Sequence, residues 1–219
     1  MYVNLNRVPV KPGQAARSSH TRNALIRAGR TLFAEKGFAN TPAEQLVARA
    51  GVSRGALYHQ FEDKRDLFRA VVEEVEQDLA ARVGGLLAGM TDTAQMLHRG
   101  SEAFLEAAND PEVRQILLID APSVIGWQAW REIDARYGLG LVRALLARCV
   151  EDGTLDPHPV EELSHVLLGA ISEAAILIAH RADDEPARRR VTESVRWLID
   201  RIIGEPHRRP TTAETGRPK

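Results

Sequence analysis

The residues with the most chemistry to offer lie between Thr41 and Lys64. In the stretch Ser53–Gln60, Arg54, Gly55, Tyr58 and His59 recur at three- and four-residue spacing, which on a helix puts them on one outer face. Val52, Leu57 and Phe61 fall on the inward side. Arg54 carries a planar donor fork that suits a guanine edge or a phosphate, and Tyr58 can give its hydroxyl to a phosphate. Gly55 costs about 1 kcal/mol against alanine in mid-helix, and its bare backbone would let a ligand approach closely. Lys64, the Thr41 side chain and the amides beginning the helix after Thr41 are placed to meet phosphate. Each has a plainer reading taken singly: Tyr58 as half-buried packing, His59 as an ordinary surface residue.

Other chemistry is weaker. Gly51-Val52-Ser53-Arg54-Gly55 matches the G-x-S-x-G nucleophile elbow letter by letter, but that elbow needs a preceding strand in an α/β sheet, and a capped helix is expected here. Catalysis is therefore not expected. His98, His158, His165 and His180 lack the paired spacing of a zinc site, so no metal or cofactor is expected. Cys149 is the single cysteine, which excludes an intramolecular disulfide and suits a small buried hydrophobe.

These groups need helices to hold them. β-branched alternation is nearly absent, and apolar positions recur at three and four residues, so the fold class is all-α. A first helix is expected from about Ser19 to Lys36, with Leu25, Ala28, Leu32 and Phe33 on one face and Gly37 ending it. Thr41-Pro42-Ala43-Glu44 reads as a capping box starting a second helix at Pro42, and Gly51 turns the chain after Ala50. Ser53 opens a third helix to about Gln60, and a fourth runs from about Lys64 past Leu79. Downstream, helices are expected near Thr93–Ala108, Pro111–Asp120, Ser123–Glu151, Val160–Ala182 and Pro186–Ile203. Two short helices joined by Ala50-Gly51-Val52 make a helix-turn-helix, whose second helix can enter a major groove.

Composition agrees with a globular protein: 44% hydrophobic and 27% charged residues suggest neither a disordered nor a fibrous chain. The net charge of −1 conceals a polarity. Residues 1–70 hold 12 Lys and Arg against 5 Asp and Glu, a net of +7, and residues 71–219 hold 17 against 25, a net of −8. A basic head on an acidic body suits a phosphate backbone, whose counterions are released when Lys and Arg neutralise it. The N-terminus has no secretory apolar core, and no apolar run is read as approaching the roughly 18 to 20 residues of a bilayer span, so a cytoplasmic protein without a membrane partner is expected.

The segment FAEKGFANTPAEQLVARAGVSRGALYHQFEDKRDLF resembles the DNA-binding segment of the tetracycline-repressor (TetR) family. The likeness rests on Leu32-Phe33, Gly37, Thr41, the Ala50–Ser53 turn, Gly55, Leu57-Tyr58, Phe61, Lys64 and Leu67, and covers roughly residues 22–70. It implies that the third helix is the recognition helix and that Thr41, Tyr58 and Lys64 touch phosphates. The candidate DNA-binding set is then Thr41, Ser53, Arg54, Gly55, Ala56, Tyr58, His59 and Lys64. Pro42 and Gln45 depart from the Thr and Ile common in the family, and Gln45 leaves open how the second helix packs.

The resemblance further implies a repressor that binds double-stranded DNA at a palindromic operator as a homodimer and is released by a small-molecule effector. A sequence-nonspecific architectural DNA binder is the alternative. The expected organisation is a tail at 1–17, the DNA-binding domain at 18–66, a helical effector-binding and dimerisation domain at 67–203, and a second tail at 204–219. Leu163, Val166, Leu167, Ala170, Ile171, Ala174 and Ile178 form one apolar stripe, and Val191, Val195, Leu198 and Ile202 another, giving the expected four-helix dimer seam. Phe104, Ile116, Leu117, Leu118, Trp127, Trp130 and Tyr137 concentrate bulk in the middle helices, with Asp120, Arg131 and Glu173 as polar candidates for an effector pocket.

Overall fold

The computed structural model describes residues 12–204, and every regular element among them is helical. They gather into two compact units, one formed by the chain up to Leu79 with Ala107–Ile133, the other by Ala80–Glu106 with the chain from Asp134 onward.

In the first unit, α1 (Pro12–Lys36), α2 (Ala43–Ala50), α3 (Arg54–Gln60) and the beginning of α4 (Lys64–Leu87) form the head. α1 starts at Pro12 rather than near Ser19, since a proline is tolerated in a first turn, where its missing N–H needs no partner. Residues 1–11 and 205–219, which hold most of the two expected tails, lie outside the described residues. Leu25 and Phe33 of α1, Leu46 of α2, Leu57 of α3, and Leu67, Phe68 and Val71 of α4 are fully buried. Each such side chain stabilises the fold by about 1.5–3 kcal/mol relative to exposure. Phe33 and Phe38 both meet the Phe68 ring edge-on at 5.1 Å. Gly29 permits the close approach of α1 to α4, because a Cβ there would lie 3.1 Å from both Phe33 Cε2 and Val71 Cγ2.

The same unit contains α6 (Pro111–Val113), a π-helical stretch (Arg114–Asp120), α7 (Ala121–Val124) and α8 (Trp127–Asp134), the last only as far as Ile133. The expected α-helix Pro111–Asp120 is thus mostly π-helix, with the Ala121 amide bonded to the carbonyl of Ile116, five residues back. The expected single helix Ser123–Glu151 is interrupted at Gly126, whose φ of 89° an L side chain would resist, and again by a π stretch at Ala135–Leu139. Arg30 ties this region to α1. Its guanidinium makes two bonds to the Glu112 carboxylate, at 2.6 and 2.9 Å, and reaches Asp78 at 2.5 Å and Glu74 at 3.4 Å. The Glu112 bond above all holds it charged, its pKa raised above the usual arginine value against the cost of partial burial.

The second unit consists of the end of α4, α5 (Thr93–Ala107), the Ala135–Leu139 stretch, α9 (Gly140–Glu151), α10 (Val160–Ala179) and α11 (Glu185–Ile203). Leu97, Leu146, Cys149, Leu167, Leu168, Ile171, Ala175 and Ile199 fill its core. Burial raises the Cys149 thiol pKa, in keeping with a packing role. The Ser172 hydroxyl donates to the buried Asp134 carboxylate at 2.9 Å. α10 corrects one expectation, since its length and composition would suffice to cross a membrane. Half of its apolar window is buried, packing against α9 and α11, which accounts for that composition as a core helix.

Candidate nucleic-acid interface

The turn between α2 and α3 is built around Gly51, whose φ of 68° and ψ of 32° place it in the left-handed region. Its amide and that of Val52 close α2 by bonding back to Ala48 and Val47. Ser53 then caps α3, its Oγ accepting from the Ala56 amide at 3.2 Å. The G-x-S-x-G serine is therefore a helix cap preceded by a helix, not a nucleophile on a strand-to-helix elbow. Leu57 is fully buried and Phe61 nearly so, which fixes the rotation of α3. Arg54, Gly55, Tyr58 and His59 are left exposed on the other side with Ser53, and Ala56 is half-buried. Ser53 stands at the N-cap and the other five on α3 itself.

Arg54 is paired at the surface. Its Nη1 pairs with Glu44 Oε1 at 2.9 Å, and its guanidinium lies 5.7 Å from the Tyr58 ring centroid. Tyr58 remains 47% exposed. A Cβ added at Gly55 would meet only Ser53 Oγ, at 3.9 Å, so no internal contact requires this glycine.

The Thr41 side chain is turned away from the expected phosphate, and that of Lys64 is engaged within the head. Thr41 is fully buried, and its hydroxyl donates to the carbonyls of Gly37 at 2.8 Å and Leu32 at 3.3 Å, so its side chain faces the head's interior rather than a phosphate. The capping box does not form either. Pro42 stands at the N-cap of α2 with no side-chain cap bond, and Glu44 pairs with Arg54 instead. Lys64 Nζ donates to the carbonyls of Phe38 at 2.9 Å and Thr41 at 3.0 Å and sits 4.0 Å from the Phe38 ring centroid. Two of its three N–H groups thus hold the α1–α2 loop. Burial lowers its pKa, opposed by the nearby Asp120 charge. Gln45 is exposed and accepts from Lys36 Nζ at 2.8 Å, which is how α2 accommodates a polar residue there.

Sequence reasoning missed Glu44 as a partner of α3 and Arg22, which lies 4.4 Å from the Phe61 ring centroid and donates to the Gln60 carbonyl. The signal for Glu44 was a carboxylate on the helix preceding one that begins with an arginine.

The effector candidates do not gather in one unit. Leu118, Asp120, Trp127 and Trp130 belong to the first, and Phe104, Tyr137 and Glu173 to the second. Ile116, Leu117 and Leu118 are core residues, Trp127 is 57% exposed, and Glu173 faces outward on α10. Asp120 accepts from the Phe38 amide at 2.7 Å. Trp130 is buried, its ring tilted by 44° against that of Trp127 at 4.9 Å, and its Nε1–H has no partner among the described residues. The seam stripes divide as well. Leu167, Ile171, Ala174, Ile178 and Val195 are buried within the unit, whereas Val166 is exposed and Leu163, Ala170, Val191, Leu198 and Ile202 are half-buried. Leu177 and Trp197 are further exposed apolar side chains that the stripes omitted.

Comparison with known proteins bears on this head and on the helices after it. Residues 25–71 match the family described as bacterial regulatory proteins, tetR family, and residues 94–202 match the tetracyclin repressor-like C-terminal domain. The chain is similar to the transposon Tn10 TetC protein of Escherichia coli, with 25% identity over 71% of this chain and 79% of the relative. It is also similar to the HTH-type transcriptional repressor AcnR of Corynebacterium glutamicum, at 26% over 72% of this chain and 81% of the relative. A TetR-family transcriptional regulator from Pectobacterium atrosepticum superposes with a TM-score of 0.79 at 29% identity, covering 87% of this chain and 98% of its own. The chain belongs to the tetracycline-repressor family of DNA-binding transcriptional regulators.

Proposed function

We propose that this protein is a repressor that binds a palindromic operator as a homodimer and leaves it when a small molecule binds. The observation that carries the reading is the exposed face of α3, where Ser53, Arg54, Gly55, Tyr58 and His59 offer base- and phosphate-contacting groups on a helix whose opposite side is locked by Leu57 and Phe61. A homodimer presents two such helices. Val166 and Leu177 on α10 and Trp197 on α11 support a second copy as the occupant of that apolar surface, and the half-buried Leu163, Ala170, Leu198 and Ile202 add to it. The buried residues of the two stripes belong to the unit's own core.

Release by an effector is supported by the unpartnered Trp130 Nε1–H, since a buried donor without an acceptor is rare and invites a ligand or water. Trp130 lies in the segment whose Asp120 bonds Phe38 and whose Glu112 bonds Arg30, so a ligand there acts on elements packed with the head. The mechanism is a population shift: the free dimer holds its recognition helices about 34 Å apart, one duplex turn, and the ligand favours a spacing that no longer fits.

Selection of random duplexes by purified protein, followed by salt titration on the winner, tests the reading. A palindrome bound about 10³-fold or more above random DNA supports a regulator. Weak, steeply salt-dependent binding without a preferred site points instead to an architectural DNA binder.

A further inference from the structure

Glu44 is placed where a carboxylate should be a liability. It stands in the first turn of α2, its side chain is 64% exposed, and it borders a face that is to meet the negative backbone of DNA. Among the described residues it bonds Arg54 Nη1, at 2.9 Å, and Arg54 leads the recognition helix. A guanidinium has two donor edges. With Nη1 held by Glu44, the edge formed by Nε and Nη2 remains for a bidentate contact, and the Tyr58 ring 5.7 Å away limits how the plane can swing. Guanine is the base whose major-groove edge offers two adjacent acceptors, N7 and O6, to such a fork.

We propose that Glu44 is a specificity-determining residue that holds Arg54 as a reader of one guanine in each operator half-site. The inference rests on the regulator reading above and deepens it. Glu44 makes no contact with the guanine itself. It acts by fixing the arginine before DNA arrives and by offsetting its charge, so that Arg54 contributes less to indiscriminate phosphate binding and more to the base edge. Without the carboxylate, the arginine is free to fold back onto a phosphate, which gains affinity for any sequence and loses the base.

The test is duplex selection with the full chain and its Arg54→Ala, Glu44→Ala and Glu44→Gln variants, all at exposed positions, with folding checked by thermal melting. The expected result is a guanine preference at one half-site position in the unaltered protein, lost in Arg54→Ala. At that same position it falls about tenfold in Glu44→Ala, on the scale of one bidentate contact, with the other positions unchanged. Glu44→Gln, which keeps an acceptor oxygen, should recover part of the preference, and affinity for random duplex should rise in Glu44→Ala. A Glu44→Ala profile that weakens all positions alike, or one that shifts at a position Arg54→Ala leaves untouched, overturns the proposal. A palindrome with no position sensitive to Arg54→Ala overturns it while leaving the regulator reading intact. Failure of the unaltered protein to enrich any site overturns both.

Discussion

The carboxylate of Asp120 accepts a hydrogen bond from the backbone amide of Phe38 at 2.7 Å, closing a contact between residues 82 apart in sequence. Phe38 follows Gly37, whose φ of 75° ends α1, and a Cβ at Gly37 would lie 3.2 Å from Gln115 Nε2 and 3.4 Å from Asp120 Oδ2. The turn leading into α2 is thus seated on the π-helical stretch Arg114–Asp120. Asp120→Ala should leave the part-buried Phe38 amide without its acceptor and cost about 1–3 kcal/mol of stability in urea unfolding. It should also weaken the influence of a bound effector on operator affinity. Unaltered unfolding together with an unaltered effector response would show that this contact transmits nothing.

Thr41 and Lys64 should behave as braces of the head. Thr41→Val keeps the shape but removes the donor to the Gly37 and Leu32 carbonyls, and is expected to destabilise by about 1–2 kcal/mol. Lys64→Met removes two bonds to loop carbonyls and the cation above the Phe38 ring, so its unfolding midpoint should fall measurably. A lysine serving only as a phosphate contact gives the opposite pattern, with unfolding unchanged and the salt slope of DNA binding reduced by about one.

The helix-turn-helix was readable because its determinants are local. Gly51 must take a left-handed conformation, Ser53 must cap, and Leu57 and Phe61 must face inward, all within a dozen residues. What escaped reading was non-local. Thr41 at the head of a proline-led helix looks like a cap, and only the proximity of the Gly37 and Leu32 carbonyls turns its hydroxyl inward. The Arg30–Glu112 pair also spans 82 residues. The π-helical stretches have no compositional signature, because one extra residue per turn leaves the apolar spacing looking helical. α10 is apolar on more than one side, so its sequence could not say which part of the Leu163–Ile178 stripe meets its own core and which part is left outside.

That division gives a direct test of dimerisation. Trp197→Glu and Val166→Glu each place a charge on exposed apolar surface, and neither side chain is needed for the core of the unit. Both variants should stay folded and sediment as monomers at concentrations where the unaltered protein is dimeric, with operator affinity falling about 100-fold or more as the second recognition helix is lost. Dimers that persist in both variants would move the seam elsewhere.

The acid side of the stability profile should carry the mark of Asp152. Its carboxyl is held below the ordinary value of 3.8, first by the Thr154 side chain, then by the Thr93 hydroxyl and the Thr154 amide. Because the folded-state pKa is the lower one, the ionised form contributes stability that is fully present above the unfolded value and fades as pH falls through the folded value. Asp152→Asn should therefore melt below the unaltered protein near pH 7, with the gap closing below about pH 3.8. A gap that is constant across that range would assign the loss to packing.

Trp130 separates a ligand-binding tryptophan from one that merely fills space. A buried indole N–H without an acceptor is itself destabilising, so Trp130→Phe removes an unmet donor at the same time as it removes apolar area. The two changes oppose each other, and the expected net loss of stability is smaller than the roughly 3–5 kcal/mol of a Trp→Ala truncation. Effector binding should weaken by about 5- to 10-fold or more, the worth of a hydrogen bond to a donor that is then missing. Calorimetry with an effector identified by operator release, run on both proteins, decides the matter. Equal affinities would leave Trp130 as packing and return the search for the pocket to the half-buried Phe104 and Tyr137 of the second unit.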